Sequence, residues 1–153
     1  RTEGNTSGVL ATLDARWNWW GSNAGPGGCG GAFGSGIDAS QHLVMSLSAN
    51  PAYLTEGEPM TVVADFSKDN LGMIHPDVWF AGDKTVWFNV ADDHGWFSPN
   101  PGRTVSGRSE SVFHLGGNFS SVSVSVTANC DCETVGPLEL RQRSGVSDWQ
   151  LYD

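Results

Sequence analysis

From residue 37 onward, apolar and polar residues alternate in short stretches separated by turn residues. The apolar members of the six stretches are Leu43, Met45 and Leu47; Val62, Ala64 and Phe66; Val86, Phe88 and Val90; Phe113 and Leu115; Val122, Val124 and Val126; and Leu138 and Leu140. A period of two is typical of antiparallel strands with one buried face. No stretch has the 3.6-residue period of a helix. The pattern therefore predicts an all-β fold, an antiparallel β-sandwich of two sheets packed face to face.

The first 36 residues follow a different pattern. Residues 1–20 form a polar start, a strand-forming stretch from Val9 to Leu13 and a tryptophan-rich end. Eight of the sixteen residues 21–36 are glycine, without apolar periodicity, which indicates a flexible connector. The predicted organisation is an extended N-terminal arm (1–20), a glycine-rich linker (21–36) and the sandwich (37–153).

Composition and charge exclude several classes of function. The chain has 153 residues, a net charge of −9 and only 16% charged residues. Binding to nucleic acid needs a basic surface that neutralises phosphates, so nucleic acid is not an expected partner. No apolar run approaches the roughly 20 residues that span a bilayer. Abundant glycine, tryptophan, serine and threonine and few lysines are typical of secreted β-rich proteins, so we expect an extracellular or cell-surface location.

The three cysteines, Cys29, Cys130 and Cys132, form an odd set. In an oxidising compartment one thiol is left over. Cys130 and Cys132 are two residues apart and could bridge directly only across a tight bend, so a disulfide from Cys29 to one of them is favoured. Three free thiols in a reducing cytosol is an alternative, and a zinc site is a weaker one because no second ligand pair has the required spacing.

Several segments of the sandwich region resemble bacterial immunoglobulin-like domains of the invasin/intimin type. The segments, in the order of that family, are 43–51, 56–57, 60–66, 84–88, 95–99, 107–113 and 122–128. The similarity covers roughly residues 40–142. The chain departs from the family in the stretch 71–83 and in the Cys-Asp-Cys sequence at 130–132. The resemblance implies that the predicted sandwich is an immunoglobulin-like antiparallel β-sandwich, of a family whose domains act as stalks, adhesins or assembly units on cell surfaces.

The sequence Trp17-Asn-Trp-Trp-Gly-Ser-Asn-Ala-Gly-Pro26 resembles the motif that often ends the parallel β-helix of surface proteins and polysaccharide-degrading enzymes. A single β-helix coil cannot bury its apolar face, because such coils are stable only when at least about three are stacked. The resemblance implies that this segment needs a partner surface, on its own chain or on another molecule.

Candidate chemistry is sparse. The four histidines are scattered, and none has a serine or cysteine partner that suggests a nucleophile, so no catalytic residue and no enzymatic activity are expected. No metal site is expected. Calcium is a weak possibility near the carboxylates of Asp65, Asp69, Asp92 and Asp93, although hard cations require six to eight oxygen ligands.

Exposed tryptophans are the main candidates for recognition. Trp87 lies between two predicted core residues and should face outward, while Trp79 and Trp96 lie in or near loops. Such side chains can stack on sugars or anchor a protein interface. Asn5 and Asn118 match the glycosylation acceptor pattern.

The favoured hypothesis is a non-enzymatic extracellular subunit that forms a head-to-tail surface filament with copies of itself. The N-terminal strand would pair with an open sheet edge of a neighbouring subunit. Residues Val9, Leu10, Ala11 and Leu13 would form the donated strand, and Trp17, Trp19 and Trp20 would pack at the junction. The alternative is an adhesive or carbohydrate-binding module of a larger β-helix protein, whose partners would include cell-surface glycans.

Overall fold

A computed structural model of the protein describes residues 12–30, 35–54, 58–77, 83–91, 93–116 and 123–142. Within these ranges the chain is all-β and contains no helix, which confirms the predicted fold class at the level of a β-sandwich. The strands are β1 (Leu13–Asp14), β2 (Ile37–Asp38), β3 (Leu43–Asn50), β4 (Tyr53–Leu54), β5 (Met60–Asp69), β6 (Thr85–Val90), β7 (Gly95–Ser98), β8 (Gly102–Arg103), β9 (Arg108–Leu115), β10 (Ser123–Cys130) and β11 (Glu133–Gln142).

Two sheets form the sandwich. One has the strand order β3-β5-β9-β7 and is antiparallel throughout. The other has the order β4-β11-β10-β6-β8, in which the β11–β4 pair is parallel and the remaining pairs are antiparallel. Each of the six alternating stretches contributes a strand to these sheets.

One apolar core lies between the sheets. Met45, Phe66 and Phe113 from the first sheet and Phe88 and Leu140 from the second are at most 2% exposed and belong to the same cluster. Burial of side chains of this size is worth about 1.5–3 kcal/mol each, which explains why period-two alternation determines the fold.

The N-terminal segment adds a third, two-stranded sheet. Its strands β1 and β2 are parallel, with Leu13 opposite Ile37 and Asp14 opposite Asp38. After β2 the chain continues through residues 39–42 directly into β3. The small sheet is therefore connected to the sandwich by a continuous path of backbone. No helix among the described residues is long and apolar enough to cross a membrane.

Candidate functional site

The candidate site is the parallel pair formed by residues 12–18 and 36–43, which we call the rung. The amides of Leu13, Ala15 and Trp17 donate hydrogen bonds to carbonyls of the 36–41 segment at 2.7–2.8 Å. A second parallel bridge joins Asn18 to His42. Positions 13 and 37 and positions 18 and 42 both differ by 24, so the chain returns parallel to itself after 24 residues.

One edge of the rung is open among the described residues. Successive residues of a strand direct their backbone groups to opposite edges, and the amides of Leu13 and Ala15 both point toward β2. The N–H and C=O groups of Asp14 therefore point to the other edge. The small sheet consists of β1 and β2, so no described strand pairs with that edge. An open edge of this kind is a template for another strand.

The two faces of the rung have different chemistry. On one face Leu13 and Ile37 are stacked in register and remain 63% and 37% exposed. On the other face the guanidinium of Arg16 lies 2.8 Å from Asp14 and 3.8 Å from Asp38. Hydrogen bonds from Arg16 lower the pKa of the Asp14 carboxyl to about 2. The Arg16 cation thereby allows the side chains of Asp14 and Asp38 to lie side by side. The stacked pair Leu13 and Ile37 on the opposite face is left incompletely covered.

Trp17 lies at the end of the rung and stays half exposed. Its indole Nε1–H donates to Oε1 of Gln41 at 3.2 Å. The Arg16 guanidinium lies 5.0 Å from the centre of its ring, and the ring of His75 lies at 5.4 Å. Trp17 also has a positive φ of 58°, which turns the chain toward the sandwich. The sequence-based hypothesis placed this side chain at a junction between subunits; here it contacts Gln41, Arg16 and His75 and stays partly open to solvent.

Trp19 occupies the opposite environment. Its indole is buried in the sandwich core and packs edge-on against Phe66 with the ring centres 4.9 Å apart. Its Nε1–H donates to Oδ2 of Asp131 at 2.7 Å, and the same oxygen accepts from Nζ of Lys84 at 3.0 Å. Trp20, the third predicted junction residue, is partly buried. Trp19 is thus a core residue of its own subunit, which differs from the interface role expected from the sequence.

Residues 21–30 are a series of tight turns attached to the sandwich. Oε2 of Glu133 accepts hydrogen bonds from the Ser22 hydroxyl at 2.9 Å and the Asn23 amide at 2.7 Å. The side-chain amide of Asn23 both donates to and accepts from the backbone of Met45 on β3. The structure therefore differs from the predicted flexible connector over residues 21–30, because side chains more than a hundred residues away satisfy its polar groups.

A disulfide joins Cys29 to Cys132 across a sequence separation of 103 residues. This confirms the expectation that Cys29 pairs with one of the two later cysteines. Cys130 keeps a free thiol that is 1% exposed. Burial, assisted by the nearby Asp131 carboxylate, raises the pKa of the Cys130 thiol to about 12. Because the thiolate is the reactive form, Cys130 does not compete for the disulfide at neutral pH.

Two of the carboxylates considered for calcium, those of Asp65 and Asp69, have other partners. The buried side chain of Asp69 accepts hydrogen bonds from the amides of Leu71 and Met73 and from Nε2 of His75, each at 2.9 Å. The hydrogen bond from His75 is the main reason that the pKa of Asp69 is lowered. Asp65 lies 3.5 Å from the guanidinium of Arg108. Among the described residues no group of three or more His, Cys, Asp or Glu side chains could hold a metal ion.

The remaining recognition candidates are separated from the rung. Trp87 on β6 and Trp96 on β7 are 52% and 56% exposed and belong to different sheets. Several predicted site residues lie outside the described residues: Val9, Leu10 and Ala11 of the arm, Asn5, Asn118, Trp79 and Asp92. Asp93 is exposed in the loop before β7.

Sequence reasoning named Cys132 as a disulfide candidate but missed its two neighbours, which also hold the N-terminal segment. Asp131, Cys132 and Glu133 are consecutive, from the turn after β10 to the first residue of β11, and each binds a different part of residues 19–29. We call these three residues the clasp. One signal could have suggested it: a disulfide from Cys29 to Cys130 or Cys132 would bring the N-terminal segment to the turn after β10. Comparison of the chain with protein-family models, curated proteins and solved structures found no match.

Proposed function

We propose that this chain is a non-enzymatic, extracellular structural module that assembles with further β-structure through the open edge of its rung. The observation that carries the proposal is the incomplete coil: β1 is paired on one edge, and the Leu13–Ile37 step beside it remains exposed. Solenoid coils are stable when stacked on neighbours. An additional strand beside β1 would cover part of the exposed Leu13–Ile37 pair and form hydrogen bonds with the N–H and C=O groups of Asp14.

The favoured incoming element is another coil of a parallel β-solenoid. The 24-residue return of the chain and the parallel register of Leu13 with Ile37 both fit such a coil. On the opposite side the rung continues into β3, so the sandwich closes the stack there. In this proposal the sandwich, of the immunoglobulin-like type suggested by its resemblance to invasin-type domains, terminates a β-helix surface protein.

A head-to-tail filament of copies is the second candidate, and the same open edge favours it. Leu13, Ala15 and Trp17 already use their amides within their own chain. A donor strand would therefore have to expose its other edge to the neighbour or come from residues that precede Leu13. Head-to-tail growth also needs a second, different surface on each copy. Strand β7 ends its sheet and has one unpaired edge among the described strands.

An extracellular location is consistent with the Cys29–Cys132 disulfide, since disulfides persist in oxidising compartments. The disulfide closes the turn region of residues 21–30 onto the clasp. A rigid junction of this kind is what a load-bearing structural module requires.

The test is the concentration dependence of self-association, measured by sedimentation velocity. Asp14→Pro removes an N–H that points to the open edge while the amides of Leu13 and Ala15 keep their bonds to β2. Asp14→Asn is the matched control, because it removes the same charge and keeps the N–H. We expect the unmodified chain to self-associate, Asp14→Asn to behave similarly, and Asp14→Pro to weaken association by about tenfold or more, equivalent to about 1.4 kcal/mol.

The size of the assembly separates the two candidates. If the edge normally receives a solenoid coil, isolated chains can pair only their two open edges about a twofold axis, and association stops at a dimer. If copies bind head-to-tail, association continues into polymers. A chain that remains monomeric at every attainable concentration would contradict the proposal. Equal association of Asp14→Pro and Asp14→Asn, with unchanged circular dichroism, would show that another surface is responsible.

A further inference from the structure

A second surface with a definite chemistry lies on the outer side of the sheet β3-β5-β9-β7. Trp96 on β7 and His114 on β9 are direct cross-strand partners. Their rings are nearly parallel, with an angle of 13° and centres 5.2 Å apart. The neighbouring residues Phe97 and Phe113 face the core, so the stacked pair is held on the solvent side of a rigid strand pair.

The stacked pair forms one side of a depression that encloses about 240 Å³. Glu58 and Pro59, which precede β5, and Leu115 of β9 complete its lining. The depression therefore combines a flat indole, an imidazole and a carboxylate within the ends of three neighbouring strands. None of its lining residues belongs to the rung, and it lies on the outer face of β7 and not at the unpaired edge of that strand.

The mixed character of this lining restricts the ligand. An apolar protein segment placed over the depression would remove water from the Glu58 carboxylate and offer it no hydrogen bond, which is costly. A sugar ring has an apolar C–H face that can lie on an indole and hydroxyl groups that can donate to a carboxylate. The net charge of −9 disfavours acidic sugars.

We propose that this depression binds an uncharged pyranose ring of a glycan. The ring stacks on Trp96, whose orientation His114 fixes, and its hydroxyl groups donate hydrogen bonds to Glu58. Because Trp96 is already held in place, little conformational entropy is lost when the sugar binds. A single shallow platform gives weak affinity, and repeated copies of the module would raise it through multivalency.

The experiment is titration of the intact chain with cellohexaose, maltoheptaose and chitohexaose, followed by calorimetry and by the chemical shifts of the tryptophan indole N–H groups. Trp96→Ala is the test variant. Trp87→Ala is the matched control, since it removes an equally exposed tryptophan from the other sheet. Glu58→Ala provides a second measurement that leaves the aromatic pair intact.

We expect at least one of the three oligosaccharides to bind with a dissociation constant of about 1 mM or lower. Trp96→Ala should weaken that binding by about tenfold, Glu58→Ala should weaken it measurably, and Trp87→Ala should leave it unchanged. Absence of binding to all three oligosaccharides would overturn the proposal. Binding that survives Trp96→Ala, or that is lost equally in Trp87→Ala, would do so as well. None of these results depends on whether the rung assembles.

Discussion

The two halves of the N-terminal segment are held in different ways. Residues 12–17 are attached through the backbone hydrogen bonds of a single strand pair and through contacts of Trp17 with Gln41 and His75, and Leu13 and Trp17 stay exposed. Residues 19–30 are attached through side chains: a buried indole, a carboxylate acceptor and a disulfide. Residues 19–30, the inner half, are therefore bonded to the sandwich within one chain, whereas residues 12–17, the outer half, keep one strand edge unpaired among the described residues. If the proposed assembly is correct, this difference locates the boundary between the fold and its assembly surface.

The clasp explains why the boundary is sharp. Three consecutive residues bind Trp19, Cys29 and the Ser22–Asn23 turn, and all of these partners follow the rung strand in the sequence. Asp131 adopts a positive φ of 53°, which forms the tight turn that presents all three side chains. No clasp residue reaches Leu13 among the contacts described. The stability of the fold and the proposed assembly thus depend on different residues, and substitutions can separate them.

The largest expected effect is at Trp19. Trp19→Ala removes a buried indole from the core and leaves a cavity, so the free energy of unfolding should fall by about 3–5 kcal/mol. Trp19→Phe keeps an aromatic ring but deletes the hydrogen bond to Asp131, and should cost less. Urea denaturation measures both. A loss below about 1 kcal/mol for Trp19→Ala would mean that the inner half does not belong to the cooperative fold.

Removal of the disulfide should have the next largest effect. In the double variant Cys29→Ala and Cys132→Ala, the unfolded chain regains the entropy of a loop of 103 residues, and stability should fall by about 2–5 kcal/mol. The control is the unmodified chain in reducing agent, which should lose a similar amount of stability.

Cys130 should remain unmodified by alkylating reagents until the protein unfolds, because its thiol is buried and its pKa is about 12. Rapid labelling of Cys130 in the native protein would contradict this assignment.

The same contrast shows what could be predicted from the sequence. The strands of the sandwich were predictable because burial follows a local period of two, as in Val86 and Phe88 on either side of exposed Trp87. The rung was suggested only by its resemblance to β-helix ends, and its pairing with residues 36–43 has no local signature. The contacts of Asn23 with Met45 and of Glu133 with Ser22 join residues far apart in sequence. The glycine-rich composition of residues 21–36 therefore suggested a flexible connector. In the structure, contacts with residues distant in sequence hold residues 21–30 in place.

Acid should weaken the clasp before it affects the core. Burial alone would raise the pKa of Asp131, but hydrogen bonds from Trp19 and Lys84 outweigh it and lower the pKa below its ordinary value of 3.8. The ionised form therefore stabilises the fold above the unfolded-state pKa, and this contribution is lost as the pH falls through the lower folded-state pKa.

The measurement is the free energy of unfolding from about pH 6 down to about pH 2, for the unmodified chain and for Asp131→Asn. The variant should be less stable near pH 6, and the difference between the two proteins should narrow in acid. A difference that stays constant over this range would show that the charge of Asp131 is not what holds Trp19.

The smallest expected effect is at Leu13, and it tests the comparison most directly. Leu13→Ala removes an exposed side chain, so the free energy of unfolding should change by no more than about 0.5 kcal/mol. Leu43→Ala is the matched control, because it makes the same change at a buried position of β3 and should cost about 2–5 kcal/mol. Urea denaturation at low protein concentration keeps assembly from contributing. If Leu13→Ala cost as much as Leu43→Ala, the outer half would be part of the finished core. If Leu13→Ala leaves the free energy of unfolding unchanged but weakens self-association, Leu13 contributes to a contact with a partner and not to the stability of the isolated chain.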